Sequence, residues 1–143
     1  MAMNRGNIKI IETEYQKLVV EVKFAEGDLW LTKYEIADLF NVTISVVSNS
    51  LRSIFKSGLL REEDVTRIHS FDRNGKPCQT IFYNLETLIF ISYRIASCEA
   101  KIFRQWVTNA LCENTTGKRN VPIGKALVTY NLLKNQSSNI ALN

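Results

Sequence analysis

The sequence predicts an α+β fold, and three local patterns carry that prediction. Residues 18–24 alternate apolar and polar side chains as a half-buried strand does; residues 30–58 hold two short amphipathic segments around an Asn-Val pair; an Asn-Gly pair separates two β-like runs. With 45% hydrophobic residues in 143, the chain can bury one compact core but is short for two.

Taken in order, residues 8–12 and 18–24 read as paired strands, with Val20, Val22 and Phe24 alternating against Val19, Glu21 and Lys23. Ala25-Glu26-Gly27-Asp28 reads as a turn, and Leu29-Trp30-Leu31 as a short third strand. Thr32 followed by Glu35 forms a capping box, in which hydroxyl and carboxylate satisfy free backbone donors at a helix start. Ile36, Ala37, Leu39 and Phe40 give that helix its apolar stripe. Asn41-Val42 makes the turn, because Asn tolerates the left-handed conformation and Val42 can point inward. Thr43 or Ser45 caps the second helix, and Gly58 suits its left-handed end.

The second helix points to function. At 100° per residue, Ile44, Val47, Leu51, Ile54 and Phe55 share one face, and Ser45, Asn49, Arg52 and Lys56 share the opposite one. No acidic residue falls between Thr43 and Ser57. A solvated helix face can also look like this. The short capped helix placed just before it favours a helix-turn-helix, whose second helix enters the major groove of DNA. Ser45, Asn49 and Arg52 would then read base edges, since Asn matches adenine and Arg matches guanine in two-point hydrogen bonding. Thr43, Ser48 and Lys56 suit the phosphate backbone.

Beyond Gly58, Arg61–Asp64 reads as an acidic turn, followed by β-like runs at 65–71 and 79–83 around Asn74-Gly75. After a helix-turn-helix, such a hairpin reads as a wing, with Arg67, Arg73 and Lys76 in or near its loop as backbone contacts; a plain surface hairpin is the alternative. Asn84 caps a nearly all-apolar helix over 85–97, and Ser97 caps a further helix from Cys98 to Glu113. In that last helix Phe103, Trp106, Val107, Ala110 and Leu111 form a stripe expected to be core or, in part, a homodimer interface with Arg104 near its rim. The expected class is therefore a winged helix-turn-helix over residues 1–113 with an N-terminal β-hairpin and two C-terminal packing helices. Residues 114–143 form a tail, linker-like at Asn114–Gly117 and with a short helix around Ile123–Lys134.

Charge and composition narrow the function classes. The net charge of +4 is unevenly placed: residues 1–64 hold eight Lys/Arg against ten Asp/Glu, and residues 65–143 hold ten against four. No apolar run is long enough for a membrane span, and the N-terminus lacks a signal core, so a cytoplasmic protein is expected. Three scattered cysteines and one histidine, His69, give no Cys-x-x-Cys pair, so neither a metal nor any other cofactor is expected. With no Gly-rich phosphate loop and no nucleophile–base spacing around His69, the chain is expected not to be an enzyme.

The order WLTKYEIADLFNV, SNSLRSIFKSGLL, GKPCQTIFYNLETLIFISYRIAS and AKIFRQWV resembles the bacterial virulence-associated RhuM family over about Ile8 to Leu111. The shared features are Trp-Leu-Thr, the Ile-Phe-x-x-Gly helix end, Phe-Tyr-Asn-Leu, Tyr-Arg-Ile and Phe-Arg-x-Trp. That resemblance implies a DNA-binding, winged-helix-like protein, often carried on mobile or phage-like elements. Asn41 stands where family members usually have Gly or a similar residue, and the chain diverges from the family after Leu111, as expected either of a truncated member or of a DNA-binding half without its effector half. Double-stranded DNA is thus the expected partner, in transcriptional or mobile-element control. A protein-interaction module of the antirepressor or adaptor kind is the alternative, and the residue inventory disfavours a toxin-like enzyme.

Overall fold

The computed structural model of the chain describes residues 4–115, so the expected helix around 123–134 lies outside the described residues. The fold is α+β. Strands β1 (Asn7–Glu12) and β2 (Leu18–Lys23) form one antiparallel hairpin, with Ile8 opposite Val22 and Ile10 opposite Val20. Helices α1 (Lys33–Phe40) and α2 (Ile44–Ser57) follow, then one helical turn α3 (Glu62–Val65). Strands β3 (Thr66–Arg73) and β4 (Lys76–Tyr83) form the second antiparallel hairpin, and α4 (Leu85–Ser92) and α5 (Cys98–Thr115) complete the described elements.

Local chemistry sets each boundary. At α1 the Glu35 amide donates to Thr32 Oγ1 at 3.2 Å while Glu35 Oε1 accepts from the Thr32 amide at 2.8 Å, a complete capping box. Asn41 adopts φ 54°, and the Val42 amide reaches back to the Ala37 carbonyl at 3.0 Å, turning the chain into α2. Thr43 occupies the α2 N-cap position without a side-chain cap bond, and Gly58 ends the helix at φ 80°. Asn74 and Gly75, both left-handed, join β3 to β4. The Asn84 side chain caps α4 through the Thr87 amide at 3.0 Å, and Ser97 caps α5 through the Ala100 amide at 3.1 Å.

The core lies between the helices. In α4 every residue except Glu86 is buried, so this helix has no solvent face and sits at the centre. The stripe of α5 covers it, with Phe103 edge-on to Phe40 at 5.5 Å between ring centroids. Trp106, half-buried, lies against Phe24, the residue that follows β2, and against Phe103. The buried hydroxyls of α4 are satisfied locally: Thr87 donates to Asn84 Oδ1, and Ser92 donates to the Ile89 carbonyl.

Five expectations are corrected. Leu29–Leu31 is not a strand; only Leu31 forms a bridge, with Tyr83, because the Leu29 amide is committed to Asp28 Oδ1 and the Trp30 amide to the Arg5 carbonyl. Arg61–Asp64 is not a plain turn, since Glu62–Val65 closes one helical turn beneath Val65, which is buried. The helix expected over 85–97 stops at Ser92. Tyr93 and Arg94 turn the chain, and Arg104 of α5 donates to the carbonyls of Ser92 and Ile95, ending α4 with a guanidinium instead of another turn of helix. Helix α5 continues through Thr115, so Asn114 and Thr115 are not linker. Finally, Phe103 and Val107 are fully buried within the monomer and Arg104 is engaged on α4. Within the α5 stripe, Phe103 and Val107 are thus taken up by packing and cannot join a dimer interface without opening the core.

Two outcomes follow from this packing. Replacing Trp106 with Ala should destabilise the folded chain by about 2–4 kcal/mol in denaturant titration, independently of protein concentration, because the ring serves the monomer core. Burial pushes the Glu35 carboxyl up, but the Thr32 amide and the Arg5 guanidinium outweigh it and hold the group below the ordinary glutamate range. A lowered folded value gives stability that is present above the unfolded value and lost as pH falls through the folded one. The stability gap between wild type and Glu35→Gln should therefore be widest above about pH 5, stay under about 1 kcal/mol for so exposed a pair, and close as the pH drops below roughly 4. Paired urea titrations at several pH values measure it.

Candidate nucleic-acid interface

The amphipathic division of α2 puts four polar side chains in solvent. Val47, Leu51 and Ile54 are buried, with Ile44 and Phe55 half-buried beside them, so the opposite arc must face outward. Ser45, Asn49, Arg52 and Lys56 occupy that arc and are all exposed. Arg52 Nη1 donates to Asn49 Oδ1 at 3.2 Å, so these two polar groups on the face are already aligned with each other. Thr43 is exposed at the helix N-terminus with its hydroxyl unused by capping, and Ser48 is half-buried at the edge of the arc. Among the described residues neither Arg52 nor Lys56 enters an ion pair, and no acidic side chain comes from α2 itself.

The β3–β4 hairpin meets α2 through one of its two faces. Cross-strand pairs share a face, so Tyr83, Ile81 and Gln79 lie with Thr66, Ile68 and Ser70. The Tyr83 ring stacks on Phe55 of α2 with 6.4 Å between centroids. Arg67, Arg73 and Lys76 all project from the other face, where Arg73 and Lys76 stand directly opposite each other beside the turn. Arg67 is not near the loop. It pairs with Phe82 at the hairpin base, and its guanidinium lies 4.2 Å from the centre of the Trp30 ring, a cation–π contact that occupies it.

The sites expected from sequence therefore divide in two. Ser45, Asn49, Arg52 and Lys56 come together as one surface, bordered by Thr43 and Ser48. Arg73 and Lys76 form a separate pair at the hairpin tip, and Arg67 belongs with Trp30. Sequence reasoning missed Arg94, which reaches from the turn after α4 to donate its Nη2 to Ser53 Oγ of α2 at 2.6 Å. Nothing local signals that contact across 41 residues; only the early end of α4 brings it about.

Among the described residues, no group of three His, Cys, Asp or Glu side chains could hold a metal ion, and no helix is long and apolar enough to cross a membrane. Cys78, Cys98 and Cys112 form no disulfide among the described residues. In comparison with known proteins, no family model matches this chain, and no curated protein and no solved structure matches it significantly.

Proposed function

We propose that this protein binds double-stranded DNA sequence-specifically as a winged helix-turn-helix, with α2 as recognition helix and β3–β4 as wing. The observation that carries the reading is the α2 face: Asn49 and Arg52, exposed and mutually aligned, on a helix whose back is buried and which has no acidic side chain. A major groove about 12 Å wide accepts one helix, and amide and guanidinium groups are the side chains best able to read adenine and guanine edges there. Lys56, Thr43 and Ser48 border the same surface and suit phosphate oxygens. The motifs shared with the RhuM family agree with this reading and extend it to transcriptional or mobile-element control in a bacterial cytoplasm. We further propose that two copies read adjacent half-sites as a homodimer, with the interface outside Phe103 and Val107.

One feature favours a second reading, a protein-interaction module. Ile68 and Ile81 pair across the hairpin on the face beside α2 and are 60% and 40% exposed. Such an apolar pair suits a protein surface better than a phosphate backbone. Absence of duplex binding even at low salt would displace the DNA reading in its favour.

Selection from random duplexes, followed by titration, tests the preferred reading. Asn49→Ala and Arg52→Ala should each weaken binding to the selected site by about 1–3 kcal/mol and relax sequence choice, while leaving the unfolding midpoint nearly unchanged. Their mutual hydrogen bond predicts that the double variant loses less than the sum. Wild-type affinity in both single variants would place the reading surface elsewhere. Changing Arg73 and Lys76 together to Ala should instead weaken all duplexes alike and flatten log K against log salt by roughly two units. An altered base preference in that variant would move the hairpin tip from backbone contact to base reading.

A further inference from the structure

The exposed face of α2 has two flanks, and only one is taken by the β3–β4 hairpin. Phe55, which stacks on Tyr83, and Ser53, which accepts from Arg94, stand about 160° apart around the helix axis, with Asn49, Arg52 and Lys56 on the arc between them. Arg94 thus marks the flank opposite the hairpin. Its position is dictated by its neighbours: Ile91 and Ile95 are buried on either side, so the turn between them is fixed and Arg94 is left exposed. One of its five N–H donors is spent on Ser53, and no carboxylate pairs with it among the described residues.

From Tyr93 an open groove continues along α5, lined by Lys101, Arg104, Gln105, Thr108 and Asn109. No acidic side chain lines it. Arg104 is committed to the carbonyls of Ser92 and Ile95, whereas Lys101 is exposed and in no ion pair among the described residues.

We propose that Arg94, with Lys101 beyond it, binds the DNA phosphate backbone on the side of α2 away from the hairpin. The proposal rests on the reading of α2 as the helix that enters the major groove. A helix about 10–12 Å across in a groove of similar width meets a phosphate strand on each side. The hairpin tip supplies cations on one side only. Arg94 supplies the other, and its bond to Ser53 holds the guanidinium beside the groove before DNA arrives, so less side-chain freedom is lost on contact.

Fluorescence anisotropy with the selected duplex and an unrelated duplex, over a salt series, tests this with the full chain. Arg94→Ala should weaken both duplexes by the same factor, about tenfold, and lower the slope of log K against log salt by roughly 0.9. Arg94→Lys should keep the wild-type slope, and Lys101→Ala should give a smaller but equally uniform loss. Thermal unfolding of each variant should match wild type, since both side chains are exposed. Wild-type affinity and slope in Arg94→Ala, while Asn49→Ala and Arg52→Ala still relax sequence choice, would overturn this flank and leave the reading of α2 standing. A changed base preference in Arg94→Ala would overturn the phosphate assignment. Failure of the wild type to bind any duplex at low salt would remove both.

Discussion

The fold depends on a two-residue exchange of backbone hydrogen bonds. The Leu31 amide donates to the Tyr83 carbonyl at 2.9 Å and the Tyr83 amide donates back at 2.7 Å, joining segments 52 positions apart in sequence. The next residue on each side is a helix cap, Thr32 for α1 and Asn84 for α4. One bridge therefore fixes where both helices begin. The Asp28 carboxylate reinforces it from behind, accepting from the Leu29 and Leu85 amides at 2.8 and 3.1 Å, and the Asn84 amide closes onto the Val65 carbonyl. These groups are buried, where an unmade hydrogen bond costs most, so the junction tolerates little displacement. Because the Tyr83 ring also stacks on Phe55, the same junction sets how α2 sits against the second hairpin.

Much of this was legible in the sequence because it is local chemistry. The Thr32–Glu35 box, the left-handed Asn41, the Gly58 stop, the Asn74-Gly75 turn and the Asn84 and Ser97 caps each depend on residues within a few positions of one another. The outward arc of α2 follows from helical periodicity alone. What was not legible depends on distant partners. No pattern in Leu29–Leu31 shows that only Leu31 will pair, and with Tyr83. Nothing in the apolar run after Asn84 shows that Arg104 will claim the Ser92 and Ile95 carbonyls and end the helix early. The position of Arg67 follows from Trp30, and that of Arg94 from Ser53; neither pair is visible without the packing that unites them.

The basic residues sort by what they already hold. Arg5 is paired with Glu35, Lys9 with Glu21 and Arg61 with Glu63 and Asp64, while Arg67 covers Trp30 and Arg104 satisfies helix-end carbonyls. These charges serve the fold, and surface pairs among them contribute little each. Among the described residues, Arg52, Lys56, Arg73, Lys76 and Arg94 are in no such pair, and they lie on α2, at the hairpin tip and at the α4–α5 turn; Lys17 and Lys23 on the first hairpin and Lys101 on α5 are in none either. A modest net charge thus conceals a division between neutralised cations and cations in no ion pair, which a summed charge cannot express.

The second hairpin is held at one end only. Its burial is confined to the base, at Phe82, Tyr83 and neighbouring Val65, and β3 is exposed from Arg67 to its tip. Two strands without a third are marginal by themselves, so the outer part has little beyond its own ladder to resist bending. Mechanically it is a cantilever roughly 24 Å long, and a tilt of about 10° at the base displaces the turn by about 4 Å. Arg73 and Lys76 ride at the free end, whereas the side chains of α2 ride on a clamped beam. The same molecule thus carries a stiff helical surface and a compliant arm, and the arm can change its angle to the body while the helix cannot.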